Sequence, residues 1–221
     1  MKIKAIIFDM DGTVIDTEHI WDKATKDLLA HRNVILNHEE YIKVMNHTRG
    51  IGLTPGCQYL KECFNITDEI PTLIQELRKR AHQGFYTDLR FIEGFTNFHR
   101  LVRAQGLKNG IATNADKGTV HIVNQALKLN QFFGKHIYDI THVQRPKPDP
   151  AIYLHTAAAL GTDPADCIAI EDSAHGVAAA KNAGIFCIGI NTAKNRDNLK
   201  QADLIIEGYQ DLDLIKISTL K

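Results

Sequence analysis

Asp9 and Asp11 stand one residue apart at the end of the apolar run Ala5-Ile6-Ile7-Phe8, with Gly12 and Thr13 directly behind them. Two carboxylates this close repel each other unless a cation or a proton lies between them, so the spacing suits a Mg2+ site. It also suits a plain turn, because Asp-Gly is a common turn signal and aspartate side chains bond nearby amides. Three further stretches bear on the choice. Thr113-Asn114 follows the apolar Gly110-Ile111-Ala112, Lys147 stands within Arg145-Pro146-Lys147-Pro148-Asp149-Pro150, and Glu171-Asp172-Ser173 follows Cys167-Ile168-Ala169-Ile170. A hydroxyl, an amide, a lysine stiffened by flanking prolines and two more carboxylates are the groups that metal-assisted phosphate chemistry uses. Taken singly, each is equally at home as a turn hydroxyl, a solvated lysine or an acidic helix start. Their appearance in chain order, each at the end of an apolar run, is poorly explained by coincidence.

The elements that must position these groups are legible from periodicity. Residues 5–8 read as a short buried strand closed by a turn. From residue 95 onward apolar runs at 110–112, 137–140, 167–170, 186–190 and 203–206 alternate with helical stretches at 95–105, 117–129, 151–160 and 174–183. That alternation predicts βαβ units and a doubly wound, mainly parallel α/β sheet covered on both faces. Such a sheet gathers its strand-end residues at one edge, where open α/β sheets bind ligands. For the 151–160 helix, Asp149 is the expected cap and Pro150 the expected first helical residue.

Between the first strand and residue 88 the text is helical. Ile20, Trp21, Ala24, Leu28 and Leu29 form a core-facing stripe in a helix reaching to about residue 32, and further helices are expected at 38–45, 56–64 and 70–85. The expected organisation is a core domain of residues 1–16 and 88–221 with an inserted α-helical cap of residues 17–87.

Composition narrows the function. Twenty-six basic residues balance twenty-six acidic ones among 221, so the chain shows no electrostatic footprint for nucleic acid or an anionic membrane. No apolar run reaches the ~18 residues of a membrane span, and no signal-peptide pattern opens the chain; a soluble cytoplasmic protein is expected. Cys57, Cys63, Cys167 and Cys187 form no Cys-x-x-Cys pair, and the eleven histidines form no His-x-x-x-His cluster, so neither zinc nor redox chemistry is expected.

Asp9-Met10-Asp11-Gly12-Thr13, Thr113-Asn114, the Lys147 segment and Glu171-Asp172-Ser173-Ala174-His175-Gly176 together resemble the four-motif set of the haloacid dehalogenase-like (HAD) hydrolases. Phe91-Ile92-Glu93-Gly94 resembles that family's re-entry from cap to core. The helical insertion resembles the C1-capped subgroup, which includes phosphosugar phosphatases, phosphoglycolate phosphatases and β-phosphoglucomutases. The resemblance implies that Asp9 is a nucleophile forming an aspartyl-phosphate and that Asp11 is first general acid and then general base. It further implies that Thr113, Asn114 and Lys147 bind phosphoryl oxygens. Mg2+ would be held by Asp9, the backbone carbonyl of Asp11 and Asp172, with Glu171 reaching it through water. The implied substrate is a small phosphorylated metabolite such as a sugar or polyol phosphate. Dehalogenation needs no general acid, so Asp11 argues against it.

A phosphatase and a phosphomutase share these motifs. In the β-phosphoglucomutase branch a histidine stands five residues after the acid at the cap entrance; counted from Asp16, Trp21 occupies that place and the nearest histidine is His19. Thr113-Asn114 also resembles the phosphatase form, so hydrolysis is expected, with a phosphomutase as the alternative and a catalytically silent, partner-binding relative as the third. Arg49 falls near the family's cap substrate loop, although Asn46-His47 replace the usual preceding glycine and Gly50 and Gly52 come after. Arg49, Trp21 and His19 are the cap's candidate substrate contacts.

Overall fold

A computed structural model of the protein describes residues 3–48 and 52–212; Arg49 lies outside the described residues. The chain divides into two compact units, one of Met1–Asp16 with Arg90–Lys221 and the other of Thr17–Leu89.

The first unit is built on β1 (Ala5–Phe8), β4 (Lys108–Ala112), β5 (Ile137–Tyr138), β6 (Cys167–Glu171), β7 (Phe186–Ile190) and β8 (Leu204–Ile206), strands being numbered in chain order. Among the described residues they form one sheet in the order β5-β4-β1-β6-β7-β8, every pair parallel. The chain therefore winds outward from β1 in both directions, and the end of β1 is the point where ligands bind in sheets of this kind. Phe8 pairs with Ile111 on one side and Ile170 on the other. One residue further along, that register sets Asp9 level with Ala112 and Glu171.

All four side chains of β1 are inaccessible to water, as expected of a strand with a partner on each edge and helices on each face. On one face the Phe8 ring meets Phe95, Phe98 and Phe133 at centroid separations of 5.7 to 6.2 Å. Burying a side chain of that size contributes about 1.5–3 kcal/mol. The covering helices are α5 (Phe95–Ala104), α6 (Lys117–Leu127), α7 (Leu129–Phe133), α8 (Ala151–Ala159) and α9 (Ala174–Asn182).

The structure differs from the periodicity reading at chosen points. Lys128 adopts a left-handed conformation (φ 56°) and divides the expected 117–129 helix into α6 and α7. Pro150 takes the N-cap position of α8 rather than its first turn, while Asp149 Oδ1 accepts from the Ala151 N–H at 3.0 Å. An antiparallel ribbon joins β2 (Ile15–Asp16) to β3 (Arg90–Phe91), and Arg90 donates to Asp16 through both Nε (2.9 Å) and Nη2 (2.6 Å). Strands of two residues are too short to show a period, which is why the sequence does not announce them.

The second unit contains α1 (Glu18–Ala30), α2 (His38–Thr48), α3 (Leu53–Phe64) and α4 (Ile70–Thr87). α1 packs on α4, α4 on α3, and α3 on α2. Ile20, Ala24, Leu28 and Leu29 are buried as their spacing predicts, whereas Trp21 is half-buried, its ring edge-on to Phe85 at 5.9 Å. Arg32 closes the unit's polar side by donating from Nε and Nη2 to the two oxygens of Asp68 (3.0 Å each), from Nη2 to Glu76 (2.8 Å), and from Nη1 to the Leu28 carbonyl (3.0 Å). No described helix is long and apolar enough to cross a membrane.

Candidate active site

The ends of β1, β4 and β6 bring Asp9, Thr113 and Glu171 to one edge of the sheet. Asp9 follows β1 directly, and its N–H donates to the Ile170 carbonyl at 3.0 Å. Thr113 is buried; its N–H donates to the Tyr138 carbonyl (3.0 Å) and its hydroxyl accepts from the Ala115 N–H (3.0 Å). Asn114 grips the lysine loop from both ends of its amide. Its Oδ1 accepts from the Lys147 N–H (2.9 Å) and its Nδ2 donates to the Lys147 carbonyl (3.4 Å).

Lys147 is the centre of the arrangement. Its Nζ donates to Asp9 Oδ1 at 2.5 Å and to Glu171 Oε1 at 2.6 Å, over the face of the Tyr153 ring at 5.0 Å, with 3% of the side chain exposed. Burial alone would lower the lysine's pKa; the charges of Asp9 and Glu171 outweigh it and hold the ammonium above its usual range. Glu171 is fully buried and well supplied with donors, since Oε1 also accepts from the Tyr153 hydroxyl (2.7 Å) and Oε2 from Ser173 Oγ (3.2 Å). Ser173 caps α9 as well, its hydroxyl accepting from the Gly176 N–H at 3.1 Å. The first turn of α9 then closes on the carboxylate so tightly that a Cβ at Gly176 would lie 1.9 Å from Glu171 Cδ.

Asp11 rides on a turn closed by its own backbone. The Met10 carbonyl accepts from the N–H groups of Val14 (2.8 Å) and Ile15 (3.0 Å), and the Gly12 N–H donates to the Ile15 carbonyl (2.8 Å). Glycine at position 12 is required twice over: φ is +77°, and a Cβ there would lie 2.1 Å from Asp172 Oδ2. Thr192, just past β7, donates from its hydroxyl to the Gly12 carbonyl (2.7 Å), and the buried Tyr209 donates to the Thr13 carbonyl (2.9 Å).

Asp9, Glu171 and Asp172 each offer a carboxylate oxygen within 4.8 Å of the others'. Three carboxylates against the single Lys147 ammonium sum to a formal charge of −2, which one divalent cation neutralises. That surplus of negative charge bears on the carboxyls themselves. Burial pushes the Asp9 carboxyl well above the usual range, Lys147 opposing and Glu171 and Asp11 adding to the rise; burial and the charges of Asp9 and Glu171 do the same to Asp172. An all-oxygen, anionic donor set fits a hard cation such as Mg2+.

The structure thus assembles Asp9, Lys147, Glu171 and Asp172, with Asn114 bonded to the lysine's backbone. His19 and Trp21 lie in the helical unit, where His19 Nε2 is 3.1 Å from the Asp88 carbonyl. Sequence reasoning singled out the Glu171-Asp172-Ser173 stretch but missed Tyr153, Thr192 and Tyr209. A signal existed for Tyr153 alone: a phenol inside the apolar helix Ala151-Ile152-Tyr153-Leu154 must find a partner for its hydroxyl once buried. Thr192 and Tyr209 act through main-chain carbonyls, which no residue pattern encodes.

A sequence profile for haloacid dehalogenase-like hydrolases matches residues 6–190. The chain is 26% identical to the β-phosphoglucomutase of Bacillus subtilis strain 168, over 96% of this chain and 92% of that protein. It is 28% identical to hexitol phosphatase B of Escherichia coli K12, over 96% and 95% respectively. A crystal structure of a HAD family hydrolase from Deinococcus radiodurans R1, with bound phosphate and sodium, superposes with a TM-score of 0.80 at 26% identity, over 97% of this chain and 95% of that one.

Proposed function

Because the chain belongs to the haloacid dehalogenase-like hydrolase family, we propose that it is a Mg2+-dependent phosphatase that hydrolyses a small sugar or polyol phosphate through a phosphorylated Asp9. The observation that carries this reading is the buried Lys147 bridging Asp9 and Glu171 at the convergence of the strand ends. By holding Asp9 Oδ1, the ammonium orients the carboxylate and favours its ionised, nucleophilic form.

In the first step an Asp9 oxygen bonds to phosphorus as the ester P–O bond breaks, and Asp11 gives its proton to the departing alkoxide. In the second, Asp11 takes a proton from water as that water attacks phosphorus; the Asp9–phosphorus bond breaks and inorganic phosphate leaves. Lys147, the Thr113 hydroxyl and the Asn114 segment bind the non-bridging oxygens, and the donors are already in place before charge develops. Asn114 does so partly at one remove, by fixing the lysine's main chain. Asp9, Asp172 and the Asp11 carbonyl would hold Mg2+, with Glu171 acting through water because Lys147 and Tyr153 already occupy its Oε1. The bound cation supplies charge neutralisation between nucleophile and phosphoryl group.

Support for the substrate class comes from the hexitol phosphatase relative. A phosphomutase is the second reading, favoured by the β-phosphoglucomutase relative and opposed by Trp21 at the position where that branch carries histidine. Phosphate release from a panel of sugar and polyol phosphates with Mg2+ separates them. Turnover on the panel, lost in Asp9→Asn, is expected. Turnover confined to sugar-phosphate isomerisation that needs a bisphosphate activator would replace the phosphatase reading with the mutase.

A further inference from the structure

The turn at residues 10–15 depends on groups from the far end of the chain. Its two middle carbonyls, of Gly12 and Thr13, accept from side chains 180 and 196 residues away: Thr192 Oγ1 at 2.7 Å and the Tyr209 hydroxyl at 2.9 Å. Neither donor is loosely held. Tyr209 is 3% exposed, its ring stands 5.8 Å from Phe95 and 5.2 Å from Phe98, and its Cβ is so close to the backbone at Gly94 that a Cβ there would lie 3.0 Å from it. Thr192 follows directly on Asn191, which is itself buried and tied by its N–H to the Ile206 carbonyl (2.8 Å) and by Nδ2 to Glu207 (2.8 Å). Thr13 is wholly buried, so water does not reach its carbonyl to replace the phenol.

We propose that Thr192 and Tyr209 are positioning residues that hold the 10–15 turn, and with it Asp11, in place for proton transfer. The proposal rests on the reading of Asp11 as general acid and base. Proton transfer needs heavy atoms within about 2.6–3.2 Å of each other. The turn pivots on a glycine in the left-handed region, so its internal bonds alone leave it soft. Two carbonyls anchored to the ends of β7 and β8 tie it to the rigid sheet. Asp9 needs no such anchor, because it is fixed by β1 and Lys147.

The test separates leaving groups. In Tyr209→Phe and Thr192→Val, which keep the shape and remove the hydroxyl, the single-turnover rate of alcohol release from a simple alkyl phosphate should fall about tenfold to a hundredfold, as for a displacement near 1 Å. For the first-turnover release of p-nitrophenolate from p-nitrophenyl phosphate, which needs little protonation and precedes the water attack that Asp11 also serves, the fall should stay below about threefold. Asp11→Asn run alongside gives the same pattern in stronger form, and Thr192→Ser restores the wild-type ratio. Equal falls on both esters, or none on either, overturn the proposal. A second readout needs no turnover: amide exchange at Val14 and Ile15 should speed up about tenfold in both variants, the size of one lost hydrogen bond. Unchanged exchange there refutes the anchoring role whether or not the chain is a phosphatase, whereas failure of wild-type turnover with faster exchange counts against the phosphatase reading and sustains the anchor.

Discussion

Gly176→Ala sets a helix preference against a buried carboxylate, and the geometry decides the winner. Alanine in place of glycine within a helix is worth about 1 kcal/mol in its favour. The new Cβ, however, would lie 1.9 Å from Glu171 Cδ and Oε1, where ordinary contact begins at 3.4 Å. One of the two must therefore retreat by about 1.5 Å, the difference of those figures. Glu171 has nowhere to go without loss: it is fully buried, and Oε1 accepts from Lys147 at 2.6 Å and Tyr153 at 2.7 Å. Overpacking of this kind costs about 1–3 kcal/mol, and each hydrogen bond to a charged group about 1.5–3 kcal/mol when lost. The net expectation is a destabilisation of about 2–5 kcal/mol after the helix gain is subtracted. Urea unfolding followed by circular dichroism measures it, and phosphate release should fall in step because Lys147 loses a partner. A variant as stable as wild type, or more so, would show that the helix preference prevails and that the α9 turn does not clamp Glu171.

Lys147→Met leaves Asp9 and Glu171 buried without their shared cation and should cost about 3–5 kcal/mol by urea unfolding; a loss under about 1 kcal/mol would mean that the ion pairs contribute little net stability. Arginine should not rescue activity there, since a planar fork cannot replace a compact point charge on two carboxylates. Mg2+ at a hundred times its dissociation constant should stabilise the chain by about 2.7 kcal/mol in thermal unfolding, and Asp172→Asn should erase most of that gain; an equal gain in the variant would exclude Asp172 as a ligand. In the helical unit, the Arg32 hydrogen bonds hold Asp68 below its usual value, and those of Arg32 and Arg80 do the same for Glu76 against the upward push of burial. Carboxyls whose folded pKa is depressed contribute stability above the unfolded value and lose it as pH falls through the folded one. Arg32→Gln should therefore shift acid unfolding to higher pH in a far-ultraviolet circular dichroism titration, and an unmoved midpoint would contradict the ion cluster's role.

What the sequence disclosed follows from how each feature is encoded. β1, β6 and β7 are continuous apolar runs ended by polar residues, so their limits are legible to within a residue. The helical character of the inserted segment is equally plain from Ile20, Ala24, Leu28 and Leu29. Asp9, Lys147, Glu171 and Asp172 were visible because their residue types are costly to bury and each ends an apolar run or sits among prolines. The β2–β3 ribbon was invisible, being two residues on each side. Division of the 117–129 helix at Lys128 rests on one left-handed residue that is not glycine, a choice made by packing rather than by propensity. Tyr153, Thr192 and Tyr209 escaped notice because they meet the site only through tertiary approach, and two of them bond carbonyls that every residue possesses.

The proposed reaction passes the phosphoryl group to Asp9. Acid-quenching the enzyme during turnover of a sugar phosphate with Mg2+, followed by mass spectrometry of its peptides, tests it directly. The expected result is one added phosphoryl group on the peptide containing Asp9-Met10-Asp11, absent in Asp9→Asn and accumulating in Asp11→Asn when a p-nitrophenyl ester is used, because the second step then lacks its base. Turnover that continues while no phosphorylated peptide forms, or a phosphoryl group that persists on the Asp9→Asn protein, would contradict it.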